Sequence, residues 1–362
     1  MKIAEIIQTI EGFAPISYQE SYDNAGLLVG DKMSECTGVL VCLDVIGSVI
    51  DEAISRNCNL VVAHHPVIFS GLKKITGKNY IEKTIIKAIK NDIAIYAAHT
   101  NLDNVRNGVN NKIADQLGLK NRKILDPKKG MLKKLFTYVP QHVKDDLLNA
   151  LFAAGAGNIG NYSECSFSVE GTGTFKGNDL SAPLVGEKNI RSTELESKIE
   201  VIFPDHLEFK IVHTLIQNHP YEEVAYEVIT LDNAYQNIGS GMIGELEHEV
   251  NGTEFLAFLK SNMQTGCIRH TALLNKPVRK VAVCGGAGSF LLPHAIAQQA
   301  DIFITSDFKY HQFFDADDKI VIADIGHYES EQFTITLLKE ILGDLSIPVL
   351  ITAVNTNPLH YY

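Results

Sequence analysis

None of the six cysteines (Cys36, Cys42, Cys58, Cys165, Cys267 and Cys284) stands in a C-x-x-C pair, so the spacing of zinc ribbons and dithiol redox sites is missing. Any metal bound by this chain has to be held by histidine and carboxylate. Long apolar runs are missing too: none approaches the roughly 20 residues that cross a bilayer. The opening segment MKIAEIIQTIEGF sets acidic residues among its apolar ones at helical spacing, unlike the unbroken apolar core of a signal peptide. The expected location is the cytoplasm, with no membrane partner. Basic residues are outnumbered by acidic ones, 32 to 43, and the resulting formal charge of −11 repels a phosphate backbone, which disfavours nucleic acid as a partner. Low-complexity tracts and short-period repeats do not stand out.

What is present reads as an α/β protein. At 362 residues the chain exceeds one typical core, so two or three domains are expected. Through about residue 128, short apolar runs alternate with amphipathic stretches: GVLVCLDV and CNLVVAHHP as buried strands, SVIDEAISRN and NYIEKTIIKAIKND as helices, IAIYAAH as a further strand. Such alternation predicts crossover units and a parallel sheet covered on both faces, with ligands collecting beyond the carboxyl ends of the strands. Residues 129–236 change style to strand, helix, strand, then strand, helix, strand, the order of a ferredoxin-like or PII-like unit. From 237 to 362 the earlier style resumes, with RKVAVCGGAGSFLLPHAIAQQ, ADIFITSD, KIVIADIGH and the helix YESEQFTITLLKEIL. The expected architecture is therefore a two-lobed, three-layer α/β protein (1–128 and 237–362) with an inserted α+β domain (129–236).

The candidate chemistry sits at strand ends. His64 and His65 follow one strand, Asp103 lies in the loop AAHTNLD, and His327 and Glu331 stand four apart at the start of a helix, on one face. Adjacent residues of an extended strand point in opposite directions, so His64 and His65 suit two neighbouring ions rather than one. A carboxylate from Asp103 or Glu331 could bridge two such ions at the roughly 3.5–4 Å of dinuclear hydrolase centres. Two divalent ions carry four positive charges and two carboxylates remove half, leaving a field that lowers the pKa of a bound water and attracts an anion. Residue types alone also allow the bland alternative of hydrogen-bonded strand-end histidines. His99 is a candidate proton shuttle or a group bonded to backbone. His311, in TSDFKYHQ, either donates a proton to a leaving group or caps a helix. The turn CGGAGS either offers backbone N–H groups to a phosphate or is simply a tight strand-to-helix turn.

Five separated blocks, SYDNAGLLVG, VVAHHPVIF, AAHTNLDNVRNGVN, VAVCGGAGS and IGHYESE, resemble in order the motifs of the GTP cyclohydrolase 1 type 2 homologs, the Ngg-interacting-factor-three-like family. AGAGNIGNYSECSFSVEGTGTF and NHPYEEVAYEV resemble the PII-like or CutA-like insert of its longer members. The resemblance implies a dinuclear metal site on His64, His65, Asp103, His327 and Glu331, with zinc the first expectation and iron, manganese, cobalt or nickel equally suited to these ligands. It also implies a toroidal homohexamer. Two departures stand out: Tyr22 replaces the tryptophan common before the Asp-Asn pair, and Thr305, Ser306 and Asp307 replace Thr-Gly-Glu. The leading functional expectation is a metal-dependent hydrolase whose bridging hydroxide attacks a nucleotide-like or other anionic substrate, with His99 or His311 assisting proton transfer. The competing expectation is a non-enzymatic metal-storage, metal-delivery or regulatory assembly whose insert senses a ligand. A transcriptional partnership follows only from the family's name.

Overall fold

The computed structural model describes residues 1–362, which divide into two compact units, Met1–Pro127 with Gln236–Tyr362, and Lys128–Tyr235.

The larger unit contains two sheets. In the first, the strands run in the order Gly26–Val29, Ala94–Ala97, Leu60–Ala63, Val39–Cys42, Val349–Ile351, all parallel except the antiparallel edge Gly26–Val29. Its three central strands are buried at every position, as expected where helices cover both faces. On one face Leu40, Val61 and Ile95 pack with Val49, Ile50 and Ala53 of the helix Gly47–Ser55 and with Ile85 and Ala88 of Tyr80–Lys90. Each Val, Leu or Ile side chain among them that is withdrawn from water contributes about 1.5–3 kcal/mol before entropy is counted. The helix Tyr80–Lys90 starts where Asn79 accepts a hydrogen bond from the backbone of Glu82, and it ends with Lys87 and Lys90 in the negative last turn. The helix Ile3–Phe13 buries Ile3, Ile6, Ile7 and Ile10, and it packs with Thr334–Leu342.

The second sheet runs Arg269–His270, Val321–Asp324, Ile302–Ser306, Val278–Ala287, Tyr235–Val250, Lys120–Lys128, with a parallel central trio. The sheets do not follow the halves of the sequence. Lys120–Lys128, before the insert, completes the second sheet, and Val349–Ile351, near the C-terminus, completes the first. The expected single helix from Tyr328 is two pieces, His327–Glu331 and Thr334–Leu342.

The smaller unit runs strand, helix, strand, strand, helix, strand: Leu132–Pro140, Lys144–Ala154, Ser166–Phe175, Ser192–Pro204, Glu208–Asn218 and Tyr226–Leu231. The second, third, first and fourth strands lie side by side in that order, each antiparallel to its neighbour. Leu135, Val139, Ile199, Val201 and Phe203 face Leu147, Leu151, Ile211 and Leu215 of the two helices, which therefore cover one side of the sheet.

Candidate metal centre

The carboxyl ends of the parallel strands in the larger unit bring the chemistry together. His64 and His65 follow Leu60–Ala63, His99 follows Ala94–Ala97, and Asp44 follows Val39–Cys42. From the second sheet, Asp307 follows Ile302–Ser306 and His327 follows Val321–Asp324. These residues line, or lie beside, a cavity of about 550 Å3.

Each of the four imidazoles is held through its Nδ1. His64 Nδ1 bonds the carbonyl of Ala98 at 2.8 Å, His65 Nδ1 bonds Asp44 Oδ1 at 2.7 Å, His327 Nδ1 bonds Asp307 Oδ2 at 2.6 Å, and His99 Nδ1 bonds Asp23 Oδ1 at 2.6 Å. Because every partner is an acceptor, Nδ1 carries the proton in each ring. In the neutral ring Nε2 then keeps a lone pair, the arrangement found where imidazole ligates metal.

The carboxylate of Glu331 faces two sets of these donors. Its Oε2 lies 2.9 Å from His65 Nε2 and 3.1 Å from His327 Nε2, and the two nitrogens are 3.4 Å apart. Its Oε1 lies 3.7 Å from His64 Nε2, which is 3.6 Å from Asp103 Oδ1. Ligand atoms bonded at about 2.0–2.2 Å to a common ion stand roughly 3–3.6 Å apart, so both sets have the spacing of a coordination shell. Three groups of donors lie within 4.8 Å of one another and could hold a metal: His65, His327 and Glu331; His64, Asp103 and Glu331; and His64, His65 and His99. His64 Nε2 and Asp103 Oδ1 are buried without any hydrogen-bond partner. Leaving a polar atom buried and unpaired costs about 1–3 kcal/mol, which a cation between them would offset. The residues present therefore fit a divalent metal.

Protonation follows the same crowding. Burial by itself lowers the His65 pKa, but the carboxylates of Glu331 and Asp44 outweigh it and push it up to about 10. His327 behaves alike: burial opposes, Asp307 and Glu331 prevail, and the pKa reaches about 11. Asp103 is pushed up to about 7 by burial and by the neighbouring charge of Glu331. Burial works to raise Glu331 as well, yet the surrounding imidazoles hold it well below the usual carboxylate range. Without a metal, protons supply the positive charge that this cluster demands.

Three amides of the glycine turn are taken up in packing. Gly285 N donates to Asn110 Oδ1 at 3.0 Å, Gly286 N to Ser330 Oγ at 2.9 Å and Gly288 N to Thr305 Oγ1 at 3.0 Å, so these amides are already engaged. Gly286 has φ +63°, and a Cβ there would lie 2.4 Å from Glu331 Oε1. Its missing side chain is the space that the carboxylate fills.

The structure thus collects His64, His65, Asp103, His327 and Glu331, and sets the His99 ring edge-on to His64 and His65 at 5.3 and 5.5 Å. It does not bring in His311, which is exposed in the turn Tyr310–Ala316 and stacks on Phe314, away from the cavity lining. Sequence reasoning missed Asp44 and gave Asp23 and Asp307 no part in holding a histidine. The side chain of Asp23 is fully buried, and although burial works to raise its pKa, bonds from His99 and Thr100 bring it down to about 2. The signal for Asp44 and Asp307 was the one used for His64: a polar residue directly beyond a buried strand. Tyr22, the departure from tryptophan, stands exposed at the cavity beside Phe69, with ring centroids 6.4 Å apart.

Residues 1–358 match the Duf34/NIF3 (NGG1p interacting factor 3) family. A GTP cyclohydrolase 1 type 2 homolog of Bacillus subtilis (strain 168) is 36% identical over 364 residues, spanning 99% of this chain and 98% of that one. A protein of the same name from Halalkalibacterium halodurans is 41% identical over 332 residues, 90% of this chain and 89% of its own. Among solved structures, a Bacillus cereus protein related to NIF3 is 37% identical with a TM-score of 0.87, and the match covers 100% of this chain and 99% of that one.

Proposed function

Since the chain belongs to the Duf34/NIF3 family, we propose that its strand-end cluster is a dinuclear divalent-metal centre, and that the protein is a metal-dependent hydrolase acting on a nucleotide-like or other small anionic substrate. The observation that carries this reading is the position of Glu331. One oxygen faces His65 and His327, the other faces His64 beside Asp103, and His64 Nε2 and Asp103 Oδ1 have no other partner. His65, His327 and Glu331 would hold one ion, and His64, Asp103 and Glu331 the other. Zinc is the first choice, with iron, manganese, cobalt and nickel suited to the same ligands. Bound there, the pair supplies Lewis acidity and a water of lowered pKa.

The remaining work falls to the chain. Asp44, Asp307 and the Ala98 carbonyl orient the ligating rings. His99, fixed on Asp23, stands at the cavity wall where a proton has to be moved. Tyr22, Phe69 and Phe290 give that wall aromatic faces that suit a flat ring, and the volume of about 550 Å3 lies within the range of small-molecule sites. The insert has the strand order of a ferredoxin-like unit, which supports reading it as PII-like. Assembly into a toroidal homohexamer in the cytoplasm belongs to the same proposal, and light scattering on the purified chain tests its stoichiometry.

Elemental analysis of the purified protein, paired with turnover assays on nucleotides and phosphoesters before and after metal stripping, tests the centre and the activity together. Two ions per chain and turnover that disappears on stripping are expected. Less than one ion per chain after incubation with zinc, iron or manganese would overturn the centre. Two ions that pass quickly to a chelator, with no turnover, would replace the hydrolase by metal storage and delivery.

A further inference from the structure

The smaller unit contains a second cavity, of about 930 Å3, lined by strand residues, by residues 176–185 and by residues 221–225. It opens on the side of the sheet that the two helices do not cover. Tyr138, Lys198 and Glu196 line it, whereas their strand neighbours Val139 and Ile199 point into the helix-facing core.

Glu196 is the unusual group in this cavity. It is only 9% exposed, and the one hydrogen bond to its carboxylate is from the neutral phenol of Tyr221 to Oε1, at 2.8 Å. Lys198, the next residue on the same face, turns instead to Glu200 at 3.3 Å and lies over the Phe136 ring at 4.5 Å. A buried carboxylate with no cation beside it is costly unless something compensates the charge. Yet the local structure holds the carboxylate in place. Gly171 stands opposite Glu196 in the strand register, and a Cβ on Gly173 would lie 1.9 Å from Glu196 Oε2. Tyr221 is fixed in turn, its N–H donating to His219 Nδ1 at 3.2 Å, and His219 Nε2 bonding the Tyr138 carbonyl at 3.0 Å.

Aromatic faces surround this charge. Tyr138, Phe175 and Tyr221 line the cavity, with the last two rings 6.4 Å apart. Aromatic faces beside a buried carboxylate attract a cation, and N–H donors on that cation would satisfy the free lone pairs of Glu196. Leu180 and Val185 add apolar wall, which suits a methylene chain. We propose that this cavity binds an organic cation, an aliphatic amine or guanidinium whose charged end rests on Glu196. The site is separate from the metal centre and independent of the activity proposed there.

Titration calorimetry of the full-length protein with agmatine and with spermidine tests the assignment, with magnesium chloride at matched ionic strength as the inorganic control. Saturable binding at one site per chain is expected with at least one of the two amines. Glu196→Gln should weaken it by about tenfold or more, the size of a hydrogen bond to a charged group. Tyr221→Phe should weaken it several-fold. Metal content should stay unchanged in both variants. If Glu196→Gln does not fold, Tyr221→Phe and Gly173→Ala carry the test, the latter by displacing the carboxylate. Equal binding by the folded variants, or equal competition by magnesium, would overturn the proposal. So would an absence of binding together with a variant that changes the oligomeric state, because a second copy of the chain would then be what covers the cavity.

Discussion

Thr356 donates its hydroxyl to Asp44 Oδ2 at 2.5 Å, while the other oxygen of that carboxylate holds His65 Nδ1 at 2.7 Å. A segment at the far end of the sequence therefore helps to aim a metal ligand. It is anchored on both sides: the Thr352 hydroxyl donates to Glu52 at 2.5 Å, and Asn357 Nδ2 donates to Glu329 at 3.2 Å. Thr356→Val keeps the shape and removes the donor. Because partners of ligating histidines typically contribute 10- to 100-fold in metal affinity, and Thr356 acts one step further out, a loss of roughly three- to tenfold is expected. Competition with a chelating dye measures it, and Thr356→Ser should restore most of the affinity. An unchanged affinity in the valine variant would leave Thr356 a packing residue only.

The two faces of Glu331 give different stoichiometries for two substitutions. Asp103→Asn removes a ligand from the set containing His64 and leaves His65, His327 and both Glu331 oxygens in place. It should reduce bound zinc from two ions to about one per chain. Glu331→Gln weakens both sets, because its oxygens face both, and should leave well under one ion per chain. Elemental analysis after gel filtration separates the outcomes. Equal loss in the two variants would argue for a single shared ion.

How far this site could be read from the sequence depended on what each signal encodes. His64, His65, Asp103, His327 and Glu331 were legible as candidates because imidazoles and carboxylates stand at or just beyond the ends of apolar runs, and the family resemblance of the blocks around them favoured a ligand role over plain hydrogen bonding. Asp44 ends an equally apolar run, GVLVCLD, but its partner His65 belongs to the neighbouring strand, and no local spacing encodes that pairing. Asp307 stood out only as part of the departure from Thr-Gly-Glu, and nothing in that comparison encodes that its carboxylate orients His327. The strand Val349–Ile351 is three residues long and too short to show a period, so the return of the chain to the first sheet stayed hidden. The glycine turn was ambiguous between phosphate binding and close packing. The hydrogen bonds of three of its amides, invisible in the sequence, show the packing role.

The raised imidazole pKa values set the pH dependence of the metal-free protein. His65 at about 10 and His327 at about 11 lie above the unfolded value of about 6.5, so between these limits the folded chain binds protons that the unfolded chain lacks. Their contribution to stability is complete below about pH 6.5 and is lost as pH rises through the folded values. The thermal midpoint of stripped protein should therefore fall progressively from pH 7 to pH 10. Metal binding requires the deprotonated rings, so zinc-loaded protein should gain relative to stripped protein as pH rises over the same interval. Differential scanning fluorimetry of the two forms in parallel buffers checks this, and parallel curves would show that metal and proton do not compete for these nitrogens.

His99 and His311 should respond in opposite ways to removal. His99 lines the cavity, sits edge-on to the two ligating histidines and is aimed by Asp23, whereas His311 stacks on Phe314 at the surface. If His99 moves a proton during turnover, His99→Gln should retain both metals and lower kcat by roughly 100-fold or more, within the range of general acid–base catalysis. Asp23→Asn would remove a buried carboxylate that fixes the His99 proton on Nδ1, so it should lower kcat in the same direction and shift the pH profile of kcat, which a purely structural role for Asp23 would not do. His311→Ala should leave metal content and kcat within about twofold, as surface substitutions generally do. A large kcat loss in the His311 variant, with His99→Gln unaffected, would reverse the assignment and require His311 to enter a site outside this subunit's own cavity.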